Sequence, residues 1–381
     1  MTIKSIHHRI TGDTPGLSYE LNGFRFGPEN ASRKVYLQGS LHADEQPGMM
    51  ALIHLLPLLE EADKHGQLNC EFVVFPMVNP IGMATIEFRE HQGRYDRPSG
   101  VNFNRQWPDI FNFVKDQLDG KLGSDLAENT DLIRSTAGDW LKNASPVGAR
   151  QTLRNIVLQE SCDADYVFDL HCDGITSSCP HIFSASHCNE AMKSLSGWIG
   201  VKAILTADDS GGGSFDEVWP LLWNKVKQIF PEASIPTPVV ACTLELRGNY
   251  DVSDELGSAD AKGLFGFFQS EGLIDGNAGK APHNPAQPTL FTATEMLRVE
   301  QPGLLSYLVK PGDSVTKGQP IADLIALDGE NAFKQRQKIT AGTDGLVIST
   351  RGNKYVWSGC SIAKIVGTDP LPERAGYLLE D

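Results

Sequence analysis

Lys34–Gly48 reads KVYLQGSLHADEQPG. Its first six residues, Lys34–Gly39, carry Val, Tyr and Leu in a short apolar run, the pattern of a buried strand. Gly39-Ser40 turns the chain, and His42 and Glu45 follow at H-x-x-E spacing. Pro47 then opens a stretch in which Met49, Leu52, Ile53, Leu56 and Leu59 recur at helical spacing. A proline in the first helical turn loses no hydrogen bond, because that N–H has no intrahelical partner. Pro57 falls within the same pattern and predicts a kink or an early end to the helix.

The strand–turn–helix unit repeats outward from this segment. Glu71–Val78, Asp165–Leu170, His181–Ser184 and Val239–Leu246 read as further buried strands. Helical patterns cover Leu126–Asn143, Pro146–Ser161, Asn189–Val201, Ser214–Phe230 and Ala259–Glu271. Strands separated by helices predict an open α/β/α layered fold. After Asp275 the pattern changes. Asp275–Pro288 is rich in Gly, Pro, Asn and Ala and reads as a linker. Met296–Gly367 has almost no helical period and shows short strands between glycine turns, the mark of a small β module. The predicted organisation is a large α/β domain over 1–276, a linker at 277–295, a β module at 296–369 and a tail at 370–381.

The turn after the first strand presents one imidazole and one carboxylate. Zinc accepts that mixture, and a catalytic zinc takes three protein ligands plus a water. The third ligand should come from another strand end, because ligands of open α/β sheets gather at the carboxyl ends of the strands. His171, delivered by Phe168-Asp169-Leu170, meets that requirement, and Asp169 leaves the strand on the same side, where it can orient a ligand. An H-x-x-E pair alone is common, and a histidine at a strand end is ordinarily structural; two such pieces on neighbouring strand ends carry more weight. Arg89, Arg94, Arg97 and Arg105 put four arginines within seventeen residues. A guanidinium fork binds a carboxylate bidentately, whereas a solvated loop with surface ion pairs is the plainer reading. Glu245 ends an apolar strand, where a carboxylate is costly unless paired or catalytic.

The ordered set H-x-x-E, Asn79-Pro80, Asn104-Arg105, Asp169-Leu170-His171 and Thr243-Leu244-Glu245 resembles the succinylglutamate desuccinylase/aspartoacylase family, a branch of the zinc carboxypeptidase clan. The resemblance implies a mixed-sheet α/β/α sandwich and one Zn²⁺ per chain on His42, Glu45 and His171. It implies Glu245 as general base and then proton donor, with Asn104 and Arg105 holding a substrate carboxylate. Arg97, seven residues before Asn104, would polarise the scissile carbonyl, although Arg94 or Arg89 could serve. The implied reaction is removal of an acyl group from the amide nitrogen of a small anionic N-acyl amino acid or related amine, by water activated on the metal. Peptide cleavage by a metallocarboxypeptidase is the second reading. The runs VKPGDSVTKGQPIADL and GTDGLVIS resemble half-repeats of biotinyl/lipoyl β-barrels, which gives a third: a non-enzymatic carrier modified at Lys334 or Lys338. Neither lysine stands in a carrier context, so the module reads as structural, covering the mouth of the site or building a homo-oligomer contact.

Composition bounds the remaining choices. The 381 residues are 40% apolar and 21% charged, as expected for a globular protein. A net charge of −15 argues against nucleic acid or an anionic membrane as partner. Seven cysteines with no C-x-x-C spacing suit a reducing compartment, and the absence of an apolar leader points to the cytoplasm. The dense Cys172, Cys179, His181, His187, Cys188 group fits no tetrahedral zinc spacing. Gly211–Gly213 lacks the Lys-Ser/Thr of a phosphate loop and reads as a flexible loop near the site. Tyr250 reads as a surface tyrosine.

Overall fold

A computed structural model describes residues 4–28, 31–174, 176–330 and 332–379; the last two residues of the expected tail lie outside them. A nine-stranded sheet forms the centre. Its strands are β1 (Lys4–Thr11), β2 (Ser18–Phe26), β3 (Lys34–Gly39), β4 (Glu71–Phe75), β5 (Tyr166–His171), β6 (His181–Ser184), β7 (Ala203–Thr206), β8 (Val240–Glu245) and β9 (Pro288–Leu290). They lie in the order β1-β2-β4-β3-β5-β8-β6-β7-β9. The central run β4-β3-β5-β8 is parallel, and β6 joins β8 antiparallel, so the sheet is mixed.

Side chains alternate across the central strands and feed two separate cores. Tyr36, Val73, Phe75 and Val167 pack under helices Phe111–Leu118, Leu126–Asn143, Ala149–Ser161 and Val218–Ile229. Val35, Leu37, Phe72, Phe168 and Leu244 pack under α1 (Pro47–Lys64), Asn189–Ile199 and Asp254–Ser270. Strands buried on both faces and helices above and below give the three-layer arrangement that the alternating sequence predicts.

Three expectations change. First, α1 runs through Pro57 without ending. Pro57 and Ile53 are both exposed, so the carbonyl that Pro57 cannot satisfy faces water. Second, the N-terminal β1–β2 hairpin extends the sheet, although its alternation is not among the strands read from sequence. Third, the stretch read as a linker carries β9, which pairs parallel with β7.

The C-terminal part forms two small antiparallel sheets around one core of Leu297, Val315, Ile321, Val347, Val356, Ile362 and Ile365. It is joined to the large sheet's domain in two ways. Thr176–Ser178 pairs antiparallel with Gly345–Arg351. Leu205 and Phe291 share an apolar cluster with Ile348, Val366 and Leu378.

Candidate metal centre and the cavity around it

The parallel strands β3, β5 and β8 end side by side. His171 and Glu245 are the last residues of β5 and β8 and stand in register with each other. His42 and Glu45 lie on the turn that follows β3. Two close approaches shape this turn. A Cβ on Gly48 would meet the Leu170 carbonyl oxygen at 2.6 Å, so only glycine lets α1 start against β5. Asn79 donates to the Leu41 carbonyl at 2.8 Å and accepts from the Gly82 N–H at 2.9 Å, which makes the Asn-Pro pair a clamp on the same turn.

His42, Glu45 and His171 converge, with one ligand atom from each lying within 4.8 Å of the others. The Nδ1 atoms of His42 and His171 face the two oxygens of Glu45 at 3.0 and 2.8 Å. The outer nitrogens are held from behind: His42 Nε2 lies 2.7 Å from Asn102 Oδ1, and His171 Nε2 lies 2.9 Å from Asp169 Oδ2. Asp169 Oδ1 in turn accepts from Gln38 at 2.9 Å, and Gln38 accepts from the Tyr36 hydroxyl at 2.8 Å, all within the buried sheet. An acceptor on Nε2 fixes the proton there and leaves the Nδ1 lone pair pointing inward, which is how metal-ligating histidines are held. The donor set therefore fits a metal ion. Among the described residues it is the one such group; the Cys172–Cys188 segment forms none.

Burial and neighbouring charges set the ionisation of each group. Burial, reinforced by the Arg94 charge, lowers His42 to about 4 and keeps it neutral. Burial opposes the charge on Glu45, yet His42 and His171 hold its carboxyl well below the usual range. Burial also opposes charge on His171, but Asp169 and Glu45 raise it well above an ordinary imidazole. Glu245 is different: burial, then the Glu45 charge, push it up to about 8, and its Oε2 is shut from solvent without a hydrogen-bond partner.

Of the candidate arginines, the structure brings Arg94 and not Arg97 to the cluster. Arg94 Nη1 lies 2.8 Å from Glu45 Oε1 and 3.2 Å from His42 Nδ1. Phe103 N–H bonds to the Arg94 carbonyl and Asp96 pairs with Val101, so residues 96–100 loop outward. Arg97 sits on that loop, with its side chain 63% exposed and paired with Glu87 at the cavity rim. Arg89 lies at a hairpin tip with φ of 70°. Asn104 is buried; its Nδ2 lies 3.5 Å from His171 Nε2, and its Oδ1 accepts from the Phe215 N–H at 2.8 Å. Arg105 is buried, and its Nε donates to the Tyr377 hydroxyl at 3.2 Å.

Three contributors were not read from the sequence. Asn102 opens the turn that carries Asn104 and Arg105: its carbonyl accepts from the Arg105 N–H at 3.2 Å and its Oδ1 from the Asn104 N–H at 2.8 Å. Arg154 donates to the Arg105 and Gln106 carbonyls and stacks over Trp107, pinning the turn. Lys364, from the small β part, lies 2.5 Å from Asp173. His42, Glu45, His171, Glu245, Asn104 and Arg105 line one cavity of about 1110 Å³ together with Lys364, so that it opens between the large sheet and the C-terminal sheets, with Tyr250 at its edge. Gly211–Gly213 packs against Tyr377 and Leu379, and the flanking Ser210 and Ser214 line the cavity. Lys334 is exposed, and Lys338 pairs with Asp323 at 2.7 Å.

Solved structures share this fold. A succinylglutamate desuccinylase/aspartoacylase family protein from Shewanella amazonensis superposes with a TM-score of 0.81 at 22% identity, covering 95% of this chain and 98% of that one. A relative from Shewanella frigidimarina gives 0.78 at 23% identity, covering 96% and 98%. The product-bound ectoine utilization protein of Ruegeria pomeroyi gives 0.64 at 18% identity, covering 97% and 95%. No curated protein matches the chain. Residues 31–270 match the succinylglutamate desuccinylase/aspartoacylase catalytic domain, and the chain belongs to that family.

Proposed function

We propose that the protein is a zinc-dependent hydrolase that removes an acyl group from the amide nitrogen of a small N-acyl amino acid or related amine. The observation that carries this reading is the His42–Glu45–His171 cluster beside a buried Glu245 oxygen that lacks a partner. When bound there, Zn²⁺ supplies Lewis acidity and brings the pKa of a water down to about 7.

The chain's own groups do the rest. Glu245, raised to about 8 by burial and the Glu45 charge, accepts a proton on Oε2 from the attacking water and returns it to the leaving amine. Arg94, already beside the cluster, donates to the carbonyl oxygen as negative charge develops on it. We give Arg94 the role expected of Arg97, which lies out at the rim. Asn104 and Arg105 hold the substrate carboxylate, and Arg154 fixes their turn.

The C-terminal sheets, in our reading a biotinyl/lipoyl-like barrel without a carrier lysine, roof the cavity. Ser349, Trp357 and Lys364 line it, and such a roof favours small anionic substrates over long peptides, which disfavours a carboxypeptidase. Seven free cysteines, five of them buried, support a cytoplasmic setting. No described helix is long and apolar enough to cross a membrane.

Metal analysis of the purified chain, followed by a deacylation screen over N-acyl amino acids and a parallel assay of C-terminal residue release from peptides, tests the proposal. One zinc per chain with deacylation is expected. Peptide trimming without deacylation, or no stoichiometric metal, would refute it.

A further inference from the structure

The glycine run Gly211–Gly213 and the C-terminal tail meet at Arg105. A Cβ on Gly212 would lie 2.6 Å from Leu379 Cδ1, 3.2 Å from Arg105 Cδ and 3.4 Å from Tyr377 Cε2. A Cβ on Gly211 would lie 3.2 Å from Tyr377 Cα, and its φ of 83° already favours glycine. A side chain at either position would crowd the tail, and at Gly212 it would crowd Arg105 as well. The run is also bonded to the turn that carries Arg105: the Gln106 and Trp107 N–H groups donate to the Gly212 and Gly213 carbonyls at 3.0 and 2.9 Å. Bare backbone therefore sits between that turn and the tail, bonded to the first and packed closely against the second.

The tail is anchored along its length. The Leu371 N–H bonds to the Thr292 carbonyl at 2.9 Å. Arg374 lies over the Phe291 ring at 5.4 Å and donates to the Leu378 carbonyl at 2.7 Å. The Leu378 N–H donates to the Ser210 carbonyl at 2.8 Å, and the Leu378 side chain is buried with Leu205, Phe291, Ile348 and Val366. Leu378 and Leu379 both line the cavity. Tyr377 stands between the Arg374 and Leu378 anchors, so its reach is set by fixed chain on both sides.

That reach ends on Arg105, which is buried and lines the same cavity. Arg105 Nε donates to the Tyr377 hydroxyl at 3.2 Å, and Nη1 donates to the Asn104 carbonyl at 2.8 Å. Two bonds from different nitrogens of a rigid planar guanidinium fix both its plane and its rotation. Both acceptors are neutral, so these contacts orient the charge without cancelling it. The other half of the turn reaches the metal centre, where Asn104 Nδ2 lies 3.5 Å from His171 Nε2. Tail, guanidinium and ligand are thereby linked through one short series of contacts.

We propose that Tyr377 is a positioning residue of the substrate site: the C-terminal tail holds the Arg105 guanidinium in the plane in which it grips a carboxylate, and Gly211–Gly213 keeps the space in which the tail lies. This rests on the deacylase reading above, which puts the substrate carboxylate at Arg105. A bidentate grip depends on orientation, and a small rotation of the fork forfeits one of its two bonds. Tyr377 acts through Arg105 and touches no reacting atom, so its loss weakens binding of the acid and spares the chemical step. The tail thus sets the preference for a substrate acid over its neutral amide.

The test uses the zinc-loaded full chain and Y377F, which keeps the ring and its packing and removes the hydroxyl. Kinetics are measured on the N-acetyl-L-amino acid turned over fastest in the deacylation screen and on its α-carboxamide. Y377F should raise KM for the acid about tenfold, the scale of one hydrogen bond to a charged group. Its kcat should stay within about twofold, so the acid-over-amide ratio in kcat/KM falls. Zinc content and melting midpoint should match the parent, and G212A, which crowds Leu379 and Arg105, should lower the same ratio. The second readout is equilibrium binding of N-acetylglycine and N-acetylglycinamide in the E245Q background, with and without Y377F. A ratio unchanged in Y377F, an equal loss for acid and amide, or a loss confined to kcat would overturn the positioning role and leave deacylation standing. No hydrolysis of any acyl compound, with Y377F weakening N-acetylglycine about tenfold more than N-acetylglycinamide, would instead overturn deacylation and leave Tyr377 as the anchor of Arg105.

Discussion

Glu245 and His171 are neighbours because two parallel strands end in register, and the proposed chemistry rests on that adjacency. Glu245→Gln keeps the shape but cannot accept a proton. We expect kcat to fall by roughly 10²–10⁴-fold with zinc content unchanged, measured by turnover and metal analysis on the same preparation. The pH dependence has a definite sign. The proposed base, Glu245, works when deprotonated, and burial with Glu45 holds it at about 8. A cation on the facing ligands pulls that value down. The rate in kcat/KM should therefore rise with pH to a limb below 8, and the limb should vanish in the Gln variant. Asp169 gives a second residue-scale test. It grips His171 Nε2 at 2.9 Å while Gln38 grips Asp169. Asp169→Asn should weaken zinc by about 10–100-fold, read from competition with a chelator; unchanged affinity would show that the outer contact does not orient the ligand. The meeting of His42, Glu45 and His171, with Glu245 at the next strand end, was legible in the sequence because each is tied to a strand end. Which arginine reaches them was not. Spacing favours Arg97, but the pairing of Arg94 with Phe103 throws residues 96–100 into a loop, and that pairing depends on backbone hydrogen bonds across the segment.

At the level of elements, the sequence reads well where a single period governs. β3 and β6 and the helix Leu126–Asn143 have the bounds that periodicity predicts. It reads poorly where a neighbour decides. β9 lies in a Pro- and Asn-rich stretch that resembles a linker and becomes a strand because the edge of β7 is there to pair with. Pro57 is tolerated because of the side of α1 on which it falls, which no propensity records. The clasp between Lys364 and Asp173 belongs to this scale, since it joins the last strand of the small part to the loop after β5. Side-chain exposures of 19% and 11% keep it only partly screened. Lys364→Met would leave Asp173 without its counter-ion, and we expect a loss of about 2–3 kcal/mol in urea unfolding, below the cost of breaking a fully buried pair. A loss under about 0.5 kcal/mol would class the contact with ordinary surface pairs.

Across the whole molecule, the site belongs to neither part alone. The ligands come from the large sheet, the roof from the small ones, and the apolar cluster of Leu205, Phe291, Ile348, Val366 and Leu378 welds them beside the cavity. The net charge of −15 describes the outside and says little about this interior, where Arg94 meets Glu45 and Lys364 meets Asp173. The sequence separates the two parts by their periods, but the strand Thr176–Ser178 that leaves one to pair with Gly345–Arg351 of the other is too short to announce itself. This shared construction bears on how the molecule unfolds. If the weld is as extensive as the cluster and strand pairing indicate, the parts should melt together. A ligand that binds only the native site stabilises by RT ln(1 + [L]/Kd), about 2.7 kcal/mol at a hundredfold excess over Kd. Zinc should therefore raise the midpoint of a single calorimetric transition, and the buried Trp219 and the half-exposed Trp357 of the small part should report the same shift in fluorescence. Two transitions, with zinc moving only that of the large sheet, would show that the roof is merely docked and that its residues close over the cavity independently of the metal.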